Sequence, residues 1–152
     1  MARIVLLDAS PTGLIISPSA GDLGRGCRAW LAGLEAAGAD VLIPTVVDFE
    51  VRRELLRLAS SAKLRALDEL KCRLGVVDVG EAAFLRAAEY WAATRKAGKP
   101  TAHPEALDAD TIIAGLAATI GEPWDDVTIA TINVGHFSRF QGVDARAWNN
   151  VR

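Results

Sequence analysis

The segment Arg3-Ile-Val-Leu-Leu-Asp8 decides the fold, because an unbroken aliphatic run ends abruptly at an acidic residue. Such a run is typical of a central parallel strand that is buried on both faces. The segment Val41-Leu42-Ile43 predicts a second strand, and the helical spacing of residues 27–37 predicts a helix between the two. A strand–helix–strand unit of this kind has parallel strands and a right-handed crossover. Asp8 is therefore expected at the carboxyl end of the first strand.

Strands and amphipathic helices continue to alternate through the rest of the chain. Apolar spacing predicts helices over residues 45–58, 64–74, 81–97 and 108–120, and strands over residues 76–77 and 127–132. The third of these helices is expected to bury Phe84 and Trp91. Alternation with short connections predicts one α/β domain over residues 1–152, a three-layer α/β/α sandwich with a mostly parallel central sheet.

The composition restricts the class of protein. With 51% hydrophobic and 24% charged residues, the chain belongs with ordinary globular proteins. The longest mostly apolar stretch, Thr111 to Ile120, is shorter than the roughly 18 residues that a membrane span needs, and Asp8 interrupts the first apolar run before it forms a signal-peptide core. We therefore expect a soluble cytoplasmic protein. A net charge of −2 argues against nucleic-acid binding through a large basic surface.

Acidic and amide side chains stand where the predicted elements reach one edge of the sheet. Asp8 and Asn133 follow strands, Asp108 and Asp110 begin the most apolar helix, and Glu50 lies about two helical turns after the second strand. Ligands of open parallel sheets bind at the carboxyl edge of the strands. Clustered carboxylates repel one another, so they take up protons or bind a cation. Oxygen ligands suit Mg²⁺ or Mn²⁺, ions that activate water and neutralise a phosphodiester.

Four segments, in order, resemble the successive motifs of PIN-domain nucleases. They are Ile4-Val-Leu-Leu-Asp8, Ile43-Pro-Thr-Val-Val-Asp-Phe-Glu50-Val-Arg-Arg-Glu-Leu55, Leu107-Asp-Ala-Asp110-Thr-Ile-Ile-Ala114 and Ala130-Thr-Ile-Asn133-Val-Gly-His-Phe137. The resemblance spans nearly the whole chain. It implies a metal-dependent endoribonuclease that cuts RNA and is often a homodimer. It also implies a relation to VapC-like toxins of toxin–antitoxin pairs, with an antitoxin protein as partner, and to uncharacterised bacterial PIN proteins.

The resemblance also implies roles for individual residues. Asp8, Glu50 and Asp110 would hold Mg²⁺ or Mn²⁺ near the scissile phosphate. Asn133 stands where many family members have an aspartate, and a neutral amide binds a second cation less well. Asp108 and Asp110 diverge by about 200° on a helix, so we expect one to cap the helix and Asp110 to bind metal, with Asp108 as a secondary metal candidate.

Three further residues are candidates for contact with the substrate. Thr131 lies on the same side of its strand as Asn133, and we expect it to bond a metal-bound water or to orient Asn133. Arg52 and Arg53 either hold the RNA backbone or form modest ion pairs with neighbouring acids. For His136 we favour a structural hydrogen bond over a general-base role.

A non-catalytic alternative stays open. The chain would then be a degenerate PIN-like module that binds RNA or a protein partner without cleavage, and Asn133 is the feature that motivates this hypothesis. The presence of Asp8, Glu50 and Asp110 favours the enzyme.

Overall fold

A parallel sheet organises the chain. The computed structural model describes residues 1–98 and 104–152, and for residues 104–106 it describes the backbone. Within these residues the strands are β1 (Arg3–Leu7), β2 (Asp40–Pro44), β3 (Val76–Val77), β4 (Asp126–Thr131) and β5 (Asp144–Ala147). Their order across the sheet is β3-β2-β1-β4-β5, and each neighbouring pair is parallel. The predicted α/β sandwich is confirmed, and its sheet is parallel throughout.

Helices flank this sheet. In chain order they are α1 (Ala9–Ile16), α2 (Gly21–Ala36), α3 (Thr45–Arg57), α4 (Ser61–Leu74), α5 (Glu81–Lys96), α6 (Pro104–Thr119) and α7 (Val134–Phe137). Short 3-10 turns cover Pro18–Ala20 and Trp148–Asn150. In the described ranges, no helix combines the length and the apolar character that a membrane span requires.

Strand β1 lies at the centre of the sheet and of the core. It pairs with β2 on one side and with β4 on the other, and Val5, Leu6 and Leu7 are completely buried. This burial explains why the strand is aliphatic on both faces. The backbone N–H of Asp8 donates to the carbonyl oxygen of Ala130 at 3.0 Å, so the ladder continues to the first acidic residue.

Helix α1 and strand β5 were not predicted from the sequence. In α1, Pro11 and Gly13 are typical of a loop, but Pro11 falls in the first helical turn, where its missing N–H would have no intrahelical partner. Helix α2 begins at Gly21, earlier than the helix predicted over residues 27–37. Strand β5 is short and contains charged residues, so it lacks the apolar signal of a buried strand.

Helix α5 buries a different face from the one predicted. Phe84 and Trp91 are 51% and 40% exposed, whereas Ala83 and Ala87 are buried. The reason is the close approach of α6: a Cβ built on its Gly115 would lie 2.2 Å from the carbonyl oxygen of Ala83. Only small side chains fit between two backbones at that distance, so the large aromatic residues face outward.

Helix α6 starts earlier than predicted. It begins at Pro104, four residues before the expected start at Asp108. Proline is favoured at a first helical position, where its fixed φ suits the helix. Asp108 and Asp110 therefore lie inside the helix, and the prediction that one of them caps it is wrong.

Candidate metal centre

Asp8 is held by two hydrogen bonds at the junction of β1 and α1. Its Oδ1 accepts from the N–H of Ala9 at 2.8 Å and so caps α1, while its Oδ2 accepts from the hydroxyl of Thr131 at 2.7 Å. The side chain is 6% exposed. Burial raises the pKa of Asp8 above its usual range, although both hydrogen bonds and the nearby His136 oppose the shift. Asp8 is thus a fixed, poorly hydrated carboxyl group.

Glu50 reaches the same place from α3. Its Oε1 is buried and has no hydrogen-bond partner within the described part of the chain. Burial, followed by the charges on Asp8 and Asp110, raises the pKa of Glu50 to about 7, and the cation of Arg53 only partly offsets this rise. A buried carboxylate oxygen without a donor is costly unless a proton or a cation neutralises it.

Asp110 approaches from α6. Burial and the neighbouring Asp8 raise the pKa of Asp110 to about 7, and the cation of Arg139 opposes the shift. His136 Nδ1 lies 3.2 Å from Asp110 Oδ2. The structure therefore brings together Asp8, Glu50 and Asp110, which lie on different elements, and places His136 beside them.

Thr131 and Asn133 differ from each other in their surroundings. Thr131 is completely buried, and besides donating to Asp8 it accepts a hydrogen bond from the backbone N–H of Asn133 at 2.9 Å. The buried hydroxyl of Thr131 therefore contacts Asp8 and the backbone and is not exposed at the surface. The side chain of Asn133 is exposed at the start of α7 and makes no capping hydrogen bond there.

The other predicted site residues lie apart from the cluster or at its edge. Asp108 is exposed, whereas Asp110 is largely buried, so the structure separates the two acids as helix geometry requires. Arg52 donates to Asp48 at 2.9 Å and to Asp68 at 2.6 Å. Of the two alternatives expected for Arg52, the structure therefore contains the ion pairs with neighbouring acids. Arg53 is exposed, and its guanidinium carbon lies 5.1 Å from the centre of the Phe49 ring.

Arg139 is a cation near the acids that the sequence analysis missed. Its Nε donates to the carbonyl oxygen of His136 at 2.9 Å, and its guanidinium carbon lies 5.6 Å from the ring centre of Phe140. From this position the charge of Arg139 opposes the rise in the pKa of Asp110. The available signal was its position six residues after Asn133, but arginine in a surface turn is too common to single out.

The donor set fits a hard divalent cation. The charge of Asp8 raises the pKa of both Glu50 and Asp110, and the buried Oε1 of Glu50 has no hydrogen-bond partner among the described residues. Oxygen ligands of this type suit Mg²⁺ or Mn²⁺. No three His, Cys, Asp or Glu side chains among the described residues already surround a single point. The acids are therefore neighbours that a bound cation would draw closer together.

The chain combines a parallel α/β sheet with carboxylates near the carboxyl end of its central strand. It therefore belongs to the class of α/β proteins that have an acidic site suited to a cation. Within that class, the chain belongs to the PIN domain family, whose model matches residues 6–130. The resemblance drawn from the four sequence segments is thereby confirmed.

Solved structures share this fold over almost the whole chain. A DNA-bound VapBC structure from Salmonella typhimurium contains a chain with a TM-score of 0.74 and 21% identity, covering 97% of this chain and 99% of that one. For FitAcB from Neisseria gonorrhoeae the TM-score is 0.69 and the identity 22%, over 97% and 99% of the two chains. For VapBC2 from Rickettsia felis, bound to a promoter DNA fragment, the TM-score is 0.71 and the identity 16%, over 95% of this chain and 98% of that one. At these identities the likeness concerns the fold. Among curated proteins, none matches this sequence.

Proposed function

We propose that the chain is a Mg²⁺- or Mn²⁺-dependent endoribonuclease that hydrolyses RNA phosphodiester bonds in the cytoplasm. The observation that carries this proposal is Glu50, whose buried Oε1 has no partner in the described part of the chain and whose pKa is raised to about 7 by burial and by Asp8 and Asp110. A divalent cation would relieve both the repulsion and the missing interaction. Membership of the PIN domain family, whose members are typically nucleases, supports the same activity.

Asp8, Glu50 and Asp110 would hold the cation. When bound, it supplies an activated water and neutralises charge on the phosphodiester. Thr131 and the N–H of Ala9 fix the orientation of the Asp8 carboxylate before anything binds. A ligand held in advance loses little conformational freedom on binding, which favours affinity.

The cations at the edge of the cluster are suited to the RNA backbone. The charge of Arg53 acts on Glu50, and the charge of Arg139 acts on Asp110. Guanidinium groups bind phosphate through paired, planar donors. We propose that these two arginines orient the phosphates next to the scissile one, while Arg52 stays in its ion pairs with Asp48 and Asp68.

A protein partner is part of the proposal. The similar solved structures include VapBC and FitAcB, and the four sequence segments resemble those of VapC-like toxins of toxin–antitoxin pairs. We propose that this chain is likewise a toxin that forms a homodimer and is held by an antitoxin. Co-expression with the product of a small neighbouring gene, followed by purification of a stable complex, tests this role separately from catalysis.

The test of the enzyme is cleavage of a panel of structured RNAs with Mg²⁺ or Mn²⁺. Wild type should cut, and EDTA or Asp110→Asn should abolish cutting. Asp108→Asn is the matched control, because it makes the same chemical change two residues away on the exposed side of α6. Equal loss in both variants, or cutting that survives EDTA, would overturn the proposed ligand set.

The exposed Asn133 favours a second candidate function. An amide at this position, without a capping hydrogen bond, offers a second cation only a neutral ligand. The chain would then bind RNA or a protein partner without cutting. Binding of RNA by wild type with no cleavage at any Mg²⁺ or Mn²⁺ concentration would establish this alternative.

A further inference from the structure

A groove leads away from the acidic cluster between α1 and α3. It has a volume of about 480 Å³, and its lining includes Ala9, Gly13 and Ile16 from α1, Glu50 and Arg53 from α3, Lys63 from α4, and apolar side chains of α3. We call it the α1–α3 groove. Its volume falls within the range of small-ligand sites, roughly 300–1,000 Å³. Glu50 belongs to both the cluster and the groove, so the groove adjoins the cluster at this residue.

The charges in the α1–α3 groove favour a polyanion. Arg53 and Lys63 both line it, and in the described part of the chain neither forms an ion pair within 4.0 Å. Glu54 also lines the groove, but its carboxylate is taken up by Arg57 of the same helix. The groove therefore offers two cations to a ligand, beside an acidic centre that itself would be neutralised by metal.

The part of α1 that carries Ala9 and Gly13 gives the groove a small, apolar wall. A Cβ built on Gly13 meets no heavy atom within 4 Å, so this wall of α1 faces open space. Ala9 stands one turn before Gly13, and both are lining residues. A wall of this kind leaves room for a flat apolar surface, such as the face of a base.

We propose that the α1–α3 groove is the subsite for the RNA segment adjoining the scissile phosphate, an inference that rests on the proposed ribonuclease function. Arg53 and Lys63 contact its phosphates, and the wall formed by Ala9 and Gly13 contacts a base. Backbone contacts of this type are strong and independent of sequence. An acidic peptide segment from a protein partner is the competing occupant.

The experiment fills the groove and measures KM and kcat separately on single-stranded RNA oligonucleotides with Mn²⁺. Gly13→Leu places a side chain in the groove and should raise KM by about tenfold or more with little change in kcat, the pattern of lost binding alone. Gly33→Leu is the matched control, since a Cβ at this helical glycine of α2 also meets nothing within 4 Å. It should behave as wild type.

Two charge-reversal variants test the same subsite without filling the groove. Lys63→Glu should raise KM in the same direction, and the rise should shrink at high salt. Arg65→Glu, an exposed position on the same helix, is its control. This pair carries the test if Gly13→Leu fails to unfold cooperatively on heating. Gly13→Ala, a smaller change, should give an intermediate KM.

Truncating the oligonucleotide from each end identifies the RNA segment. The KM penalty of Gly13→Leu should vanish when nucleotides are removed from one end and persist when they are removed from the other. Cleavage by wild type with an unchanged KM in both Gly13→Leu and Lys63→Glu overturns the subsite, points to the peptide occupant and leaves the ribonuclease intact. If the wild type binds RNA without cutting it and Gly13→Leu abolishes this binding, the result supports the subsite and overturns the proposed ribonuclease activity.

Discussion

Thr131 and Asp8, 123 residues apart in sequence, are joined by a buried hydrogen bond of 2.7 Å. The same hydroxyl accepts from the backbone N–H of Asn133, so one side chain ties the carboxyl ends of β1 and β4 together. This bond orients the first acid of the cluster before any cation or substrate arrives.

Replacing Thr131 with valine keeps the shape and removes the hydroxyl. Thr131→Val should lower the free energy of unfolding by about 1–3 kcal/mol, because Asp8 loses a buried donor and the Asn133 N–H loses its acceptor. The affinity for Mg²⁺ or Mn²⁺ should also fall, because the Asp8 carboxylate is no longer held by this hydrogen bond. Thr131→Ser, which keeps the hydroxyl, is the control, and urea unfolding is the measurement. Equal stability of the two variants would contradict the assigned role.

Glu50→Gln should stabilise the metal-free protein at high pH. In the wild type, the pKa of Glu50 is raised to about 7 in the folded state from an ordinary value of 4.5. The folded state therefore keeps a proton that the unfolded chain has lost. The free energy of unfolding therefore falls as pH rises through this window. After allowance for solvent screening, the variant should gain about 1–2 kcal/mol near pH 8 and nothing near pH 4.

Glu54→Gln on the same helix is the control for this measurement. The hydrogen bond from Arg57 lowers the pKa of Glu54, so the variant should show no gain at high pH. Thermal unfolding in EDTA at several pH values makes the comparison. A Glu50→Gln variant that is less stable than wild type near pH 8 would show that Glu50 is already well compensated.

Affinity for Mn²⁺ or Mg²⁺ should increase as pH rises through about 7. Glu50 and Asp110 both have a pKa raised to about 7, and a carboxyl group must lose its proton to bind the ion. Titration calorimetry in two buffers of different ionisation enthalpy should detect proton release at neutral pH. Binding without proton release would place the cation elsewhere, and Asp110→Asn should remove most of the signal.

Gly115→Ala should destabilise the fold although alanine is the better helix former. Its Cβ would lie 2.2 Å from the carbonyl oxygen of Ala83 and 2.9 Å from the N–H nitrogen of Ala87, so α6 must move away from α5. We expect a loss of roughly 1–3 kcal/mol in thermal unfolding. Gly33→Ala, in open space, should instead be neutral or stabilising by up to about 1 kcal/mol.

Strong local patterns allowed much of the fold to be predicted. The aliphatic run before Asp8 indicated the central strand, and the order of the motifs led to Asp8, Glu50 and Asp110 as neighbours. The face of α5 could not be predicted, because it depends on how closely Gly115 approaches the neighbouring backbone. That distance depends on how two helices pack together, and the apolar periodicity of a single helix does not encode it.

The details of the site were harder to predict for the same reason. The sequence indicated Asp8 as a metal ligand, but it did not indicate that one of its oxygens caps α1 and the other accepts a hydrogen bond from Thr131. The partners of Arg52 include Asp68, on another helix. Both results depend on which elements meet in space, which sequence spacing along one element does not encode.

The position of β1 between β2 and β4 determines when the acidic cluster of a newly made chain can assemble. Asp8 is synthesised early, but Ala130 and Thr131, to which it is bonded, emerge from the ribosome more than a hundred residues later. Pairing over such a separation is slow and comes late in folding. We expect a nascent chain interrupted before β4 to carry its acids in an unassembled state, so that incomplete products are inert.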